Sequence, residues 1–355
     1  MKKNFLIVNE CGSDNVGDHA INEGLRNLLS DNGHKSDSVT FATTSPFVKN
    51  THKVNRGFLF KLKKIILKSK IIFDLNWVLK NKSRINKSLN SDYDAILIGG
   101  GQLVLSGLAF PIAMSTWVSL ANKKNIPVFI VGVGCGESFT NREVRLYKKA
   151  FLLCTQVFTR EKASVNKMKS FFDVDAQLIP DLAFGLEPVT KNKNKARKGI
   201  AVGVTDYTVY VRYKEESDEG EYSTYEAYIK AWYERLVNII ENESEEIKLV
   251  STTYSDSLCN LELYKMLRSS ISNPILLIDG VKPLNDYREI LSESRLVLSG
   301  RMHSLILGKI EGCELVPWVI SAKLQGFVDM YNGKSLEQLK PQYAELINAL
   351  KLSNV

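Results

Sequence analysis

The chain has 355 residues, 44% hydrophobic and 24% charged, enough for two cores of ordinary size and too apolar for a disordered protein. Its five cysteines, Cys11, Cys135, Cys154, Cys259 and Cys313, are scattered, odd in number and never spaced C-x-x-C; neither a disulfide framework nor a thiolate zinc site is expected, and a reducing cytoplasm is the simplest location. The formal charge of +8 is unevenly spread, because residues 51–90 hold 11 Lys and Arg against Asp74 alone, a net +10, and the remainder sums to −2.

The opening M-K-K-N-F-L-I-V-N-E carries two lysines, but its apolar run stops at Val8, too short for the core of a signal peptide, and reads as a buried strand over 4–9. No later run reaches the apolar length that spans a bilayer. A polar loop over 10–16 leads to Ala20, Ile21, Leu25, Leu28 and Leu29, spaced along one face of a helix over 17–30. This is the βα unit that opens a parallel sheet, with 38–41 as a candidate second strand. The basic segment 51–90 then threads Phe58, Leu62, Ile66, Ile71, Trp77 and Leu79 among its lysines. A helix of that kind either lies on an anionic bilayer or packs on its own domain with the lysines in water. Nucleic acid is not an expected partner, since no recognition motif accompanies the charge.

Residues 93–98 form a buried strand running into Gly99-Gly100-Gly101, and 127–131 form another that meets Gly132, Gly134 and Gly136. These glycines match neither the dinucleotide fingerprint nor a phosphate-binding P-loop. They are expected to form turns at strand ends, where glycine admits either a ligand or the close packing of another backbone. A helix over 142–153 and a strand over 156–159 put Arg160 at a strand's carboxyl end, and a strand over 176–179 ends in Pro180-Asp181. The Lys- and Asn-rich stretch 185–198 reads as a linker. It separates a domain over 1–184, carrying the basic insertion, from one over 199–325, with a helical segment over 326–355.

The second series has strands over 199–204, 247–251, 275–278, 295–298 and 314–317, an acidic loop from Glu215 to Glu221, and helices over 225–240 and 336–350. The expected fold is therefore α/β, with two Rossmann-like domains facing across a cleft. Ser299-Gly300 ends one strand and an apolar helix resumes at Ser304, so Arg301, Met302 and His303 occupy the strand-to-helix turn. In an open sheet that is the ligand crevice, where free helix N–H groups face an anion. A guanidinium and an imidazole there suit a small dianion; the alternative is an arginine paired with an interdomain carboxylate and a histidine capping a turn. His19, His34, His52 and His303 include no i,i+4 pair and no H-E-x-x-H, so no metal is expected.

Six stretches, G-S-D-N-V-G-D-H-A-I at 12–21, the strand and three glycines at 95–101, V-G-V-G at 131–134, T-R-E-K-A-S at 159–164, P-D-L-A-F at 180–184 and G-R-M-H-S at 300–304, together resemble the polysaccharide pyruvyl transferase family. Their order and spacing, from 9 to 323, carry the resemblance. It implies a fold similar to the GT-B glycosyltransferases, phosphoenolpyruvate as donor substrate, a sugar hydroxyl pair as acceptor, and no cofactor. In the family an Arg and an Arg-Leu-His triplet hold the donor, which here map onto Arg160 and onto Arg301, Met302 and His303, with Ser304 and Lys323 beside them. Met302 replaces the Leu, Leu182 replaces a usual Pro, and Ile320-Ser321-Ala322 replaces an aromatic residue before the lysine. The resemblance makes His303 the proton donor or relay, and Asp18 and Asp181 either the groups that orient or deprotonate the acceptor or a cap and a hinge contact. Loops bearing Asn15, Gly17, His19, Gly99, Gly100, Gly101 and Gly134 would face the acceptor, lipid-linked or free. The expected location is cytoplasmic, at the inner face of the membrane if residues 51–90 bind lipid. The competing readings are a nucleotide-sugar glycosyltransferase and a non-catalytic carbohydrate-binding member of an envelope-assembly complex.

Overall fold

The computed structural model describes residues 2–42, 70–189, 197–213 and 222–352. Strand β1 (Asn4–Asn9) is buried from Phe5 onward, because Phe-Leu-Ile-Val offers no polar side to water. That is the signature of a parallel strand covered on both faces. It is followed by α1 (Val16–Asp31), β2 (Lys35–Thr40), α2 (Lys70–Ser88), β3 (Ala95–Val104), α3 (Phe110–Asn122), β4 (Val128–Cys135), α4 (Asn141–Phe151), β5 (Gln156–Thr159), α5 (Lys162–Phe172) and β6 (Gln177–Leu178). The six strands form one parallel sheet in the order β2-β1-β3-β4-β5-β6. The order reverses between β1 and β3, the kind of switch point that opens a crevice beyond strand carboxyl ends.

The second series comprises β7 (Ile200–Gly203), α6 (Tyr207–Tyr213), α7 (Tyr225–Val237), β8 (Ile247–Ser251), α8 (Asp256–Ser270), β9 (Ile275–Val281), α9 (Leu284–Glu293), β10 (Leu296–Ser299), α10 (Met302–Glu311), β11 (Glu314–Pro317), α11 (Ala322–Tyr331), α12 (Leu336–Leu339) and α13 (Ala344–Leu352). Its parallel sheet runs β11-β10-β7-β8-β9. Counted from its own first strand this is the Rossmann order, and the reversal falls between β7 and β10. Each sheet has its own core. One is built on Leu6, Ile96, Ile98, Trp117, Ile130 and Tyr147, the other on Val202, Tyr228, Trp232, Leu249, Leu298 and Trp318.

Two expectations about local structure change. The glycine runs do not end their strands: β3 and β4 continue together through Gly99↔Val131, Gly101↔Val133 and Val104↔Cys135, with a register shift between Gly101 and Val104. Gly100 (φ 77°) and Gly101 (φ 75°), just before that shift, take backbone conformations closed to most side chains. The helix expected over 336–350 is broken at Pro341, which has no N–H to give to a preceding turn, into α12, a 3₁₀ turn (Lys340–Tyr343) and α13. The basic segment is described only from Lys70, where it is helical as α2; residues 51–69, the acidic run 214–221 and linker residues 190–196 lie outside the described residues.

The compact units also divide the chain differently from the expected domains. The first unit is Met1–Ser13, Leu25–Leu182 and Pro341–Val355; the second is Asp14–Gly24 with Ala183–Lys340. The C-terminal segment belongs to the first because Lys3 Nζ donates to the carbonyls of Leu350 and Lys351 at 2.7 and 2.8 Å, capping α13. The start of α1 belongs to the second because Val16 N donates to Thr252 O at 3.0 Å and Tyr254 N to Asp14 Oδ2 at 3.1 Å.

Candidate active site

In the second unit the turn after β10 is fixed from below. Ser299 Oγ donates to Gly203 O and accepts from Arg301 N, each at 3.0 Å, tying β10 to β7 across the switch point. Gly300 has no room for a side chain, since a Cβ would stand 2.5 Å from Thr205 Oγ1. The chain then enters α10 with extended Arg301 as the residue before its first turn. Ser304, buried in that turn, shares a 2.8 Å hydrogen bond with the Tyr287 hydroxyl, whose pKa burial pushes up so that it remains a phenol.

Arg301 folds back onto a carboxylate that sequence reasoning missed. Its Nε lies 3.1 Å from both Asp256 oxygens, its Nη2 2.5 Å from Oδ1 and 3.3 Å from Thr253 Oγ1. Asp256 is buried and also accepts from Asp206 N, Thr252 Oγ1 and Thr253 N at 3.0, 2.9 and 3.2 Å. A carboxylate so saturated with donors holds the guanidinium by its Nε/Nη2 edge. Among the described residues Nη1 makes no hydrogen bond, and the side chain keeps 23% of its exposure. The outer edge of the fork is therefore available to an anion.

His303 lies in the first turn of α10, and its imidazole covers Gly17 so closely that a Cβ on Gly17 would overlap the ring. The first and last of the resembling motifs thus meet within one compact unit. Asn15 Oδ1 accepts from Gly17 N at 3.0 Å, and the Asn15 carbonyl from Asp18 N at 3.0 Å, so Asn15 opens α1. Asp18 and His19 are half-buried in that first turn, where a carboxylate also offsets the helix dipole. Met302 is half-buried at the start of α10, and half-buried Lys323 stands in the first turn of α11, whose amide at Leu324 is capped by Ser321 Oγ at 3.3 Å.

The first unit gathers a separate cluster. Arg160 follows β5 and donates from Nη1 to Asp181 Oδ2 at 2.6 Å, while its Nε faces Glu161 Oε1 at 3.8 Å. Both side chains of the Arg160–Asp181 pair are 3% exposed. Asp181 is further fixed through its carbonyl, which accepts from Tyr343 OH at 2.5 Å. Gly134 makes the space for this cluster, as a Cβ there would lie 2.7 Å from Glu161 Oε1. Gly99 answers to packing alone, because its missing Cβ would overlap the carbonyl of Val131 on the neighbouring strand. Among the described residues no group of three or more His, Cys, Asp or Glu is placed to hold a metal ion.

The signal for Asp256 was present: Thr252-Thr253-Tyr254-Ser255-Asp256 follows β8 at its carboxyl end, as Arg301 follows β10. It carried no glycine and no cation, so nothing local marked it.

A search of curated proteins finds no significant match. Among solved structures, the UDP-GlcNAc 2-epimerase from Methanocaldococcus jannaschii is 13% identical over 98% of this chain and 99% of that one, with a TM-score of 0.50. A Listeria monocytogenes protein assigned as a UDP-N-acetylglucosamine 2-epimerase is 10% identical over 100% and 91%, with a TM-score of 0.51. At such identities the likeness speaks for the fold alone, two Rossmann-like domains of the GT-B type. The polysaccharide pyruvyl transferase family model matches residues 15–317, from the cap of α1 to the end of β11, and the chain belongs to that family.

Proposed function

We propose that the protein transfers pyruvate from phosphoenolpyruvate to two hydroxyls of a cell-envelope or exopolysaccharide sugar, forming a pyruvate ketal and releasing phosphate. The observation that carries this reading is the Arg301 fork, clamped by Asp256 along one edge and open along the other, two residues before His303. An anion with a flat carboxylate or a phosphate fits such an edge. Arg160 is already neutralised by Asp181, so its share in donor binding is the smaller.

The reaction balances with few parts. Protonation of the donor's methylene carbon makes it a methyl and leaves cationic character at the adjacent carbon. One sugar hydroxyl attacks there, phosphate departs with its oxygen, and the second hydroxyl closes the ketal. Of the two protons the hydroxyls lose, one replaces that spent on the methyl and the other leaves on phosphate. His303 supplies and recovers the first of these, and Asp18 orients the acceptor. Asp181 is a poor base in this scheme, since protonating it would break its pair with Arg160. The reaction as written asks for no cofactor. Burial pushes the Cys135 and Cys154 thiols up to about 12, so neither is suited to act as a thiolate in this scheme.

The test is direct. Phosphoenolpyruvate should raise the melting temperature and UDP-N-acetylglucosamine should not. With oligosaccharide acceptors, mass spectrometry should find ketal addition together with free phosphate. His303→Gln should bind phosphoenolpyruvate as the parent does while phosphate release slows by about 100- to 10,000-fold. Stabilisation by the nucleotide sugar alone would sink the reading.

A further inference from the structure

Helix α2 is anchored on one side and apolar on the other. Trp77 and Ile85 enter the core of the first unit, Arg84 donates to Thr40 O at 2.6 Å and Phe41 O at 3.3 Å, and buried Asp74 pairs with Arg142 of α4. Its outer face shows Ile71 at 68%, Leu75 at 60% and Leu79 at 70% exposure. These residues recur every four positions and so form one stripe. Three large aliphatic side chains in a row make a contiguous patch, which soluble surfaces seldom leave without a use.

A second observation adds an exposed aliphatic residue near the start of the helix. Leu108 is 74% exposed, with a left-handed backbone (φ 44°) that a leucine adopts only under constraint. The constraint is visible: Glu143 accepts from Gly107 N at 2.8 Å and from Ser106 Oγ at 2.9 Å, and Lys70 Nζ, at the start of α2, donates to Leu108 O at 2.6 Å. The fold thus uses a buried carboxylate to hold an exposed aliphatic residue whose carbonyl is tied to Lys70 at the start of α2.

The charge decides what covers this surface. Between Lys70 and Ser88 the cations are Lys70, Lys80, Lys82, Arg84 and Lys87, and the sole acid, Asp74, is buried in its ion pair. A second copy docked by a two-fold axis would set lysines against lysines. A lipid interface meets both features, because it takes aliphatic side chains at headgroup depth while lysine stems reach its phosphates. We propose that the outer face of α2 with Leu108 is a docking surface for an anionic bilayer. This stands apart from the transfer reaction, and the closing experiment contains no phosphoenolpyruvate, so the two can fail separately.

The full-length protein would be sedimented with vesicles of phosphatidylcholine alone or with about 30 mol% phosphatidylglycerol, at low and physiological salt. Binding is expected only to the anionic vesicles, weakening as salt rises. Leu75→Ser with Leu79→Ser should lower the partition coefficient by about tenfold per leucine, and Lys80→Gln with Lys82→Gln by about fivefold per charge, with melting temperatures unchanged. Leu108→Gly should weaken binding while leaving stability equal or higher, because glycine accepts the left-handed backbone. Equal binding to both vesicle types overturns the proposal, as does full binding by the double serine variant. So does light scattering that finds a dimer which the serine variant dissolves, since a second copy would then be the occupant.

Discussion

Arg160 and Arg301 both follow the carboxyl end of a parallel strand, and both face an aspartate that is nearly inaccessible to water. The arrangements differ in what they leave over. Arg160 meets carboxylates with Nη1 and with Nε and is itself buried. Arg301 spends one edge on Asp256 and keeps the other at the surface. Position at a strand end therefore does not decide how much of an arginine is left to meet an anion; the edge left open does. The largest expected effect exploits this. Arg160→Met strands Asp181 in an apolar setting and should cost about 3–5 kcal/mol in urea unfolding. Arg301→Met should cost about 1–3 kcal/mol, because Asp256 retains three other donors. Equal losses would erase the distinction.

The next effect is on donor affinity. Arg301→Lys keeps the charge but cannot lie flat against Asp256 and present a second edge, so calorimetry should show phosphoenolpyruvate binding weakened by about 10- to 100-fold. Asp256→Asn should produce a similar loss from the opposite partner, because an amide matches only part of the Nε/Nη2 edge and the guanidinium is no longer clamped. If the clamp is the working unit, the double variant should lose little more than either single one. Additive losses would mean that Asp256 contributes to binding in some way other than through Arg301.

Much of this arrangement could be read before any coordinates. The apolar runs of β5 and β10 announce buried parallel strands, and the strand-to-helix turns carrying Arg160 and Arg301 follow from them. What could not be read is partner choice. Asp256 lies 45 residues from Arg301, and only the sheet order, which seats β8 next to β7 and β7 next to β10, brings their loops together. Glycines misled in a specific way. Gly99, Gly100 and Gly101 look like a turn because glycine ends many strands, yet Gly100 and Gly101 take positive φ inside the strand, which goes on to Val104. The run of apolar residues in α2 could be read as buried or exposed, and the depth of each side chain was settled only by what α2 packs against.

The smallest expected effect bears on the group beside Arg301. Gly17→Ala places a methyl where the His303 ring now lies. Helix α1 gains a better helix former, worth up to about 1 kcal/mol, but the clash forces the imidazole aside at a cost of about 1–3 kcal/mol. Net stability should therefore fall only slightly. The Arg301–Asp256 clamp is built from α8 and the turn after β10, not from α1, so donor affinity should hold within about twofold. A displaced proton donor is another matter, since transfer needs hydrogen-bond reach, and phosphate release should slow by about tenfold. In a His303→Gln background the alanine should then add nothing to the defect, there being no proton transfer left to misplace. If affinity and rate fall together in Gly17→Ala, His303 is part of the anion-binding surface along with Arg301, and the division between holding a charge and moving a proton does not run between these two residues.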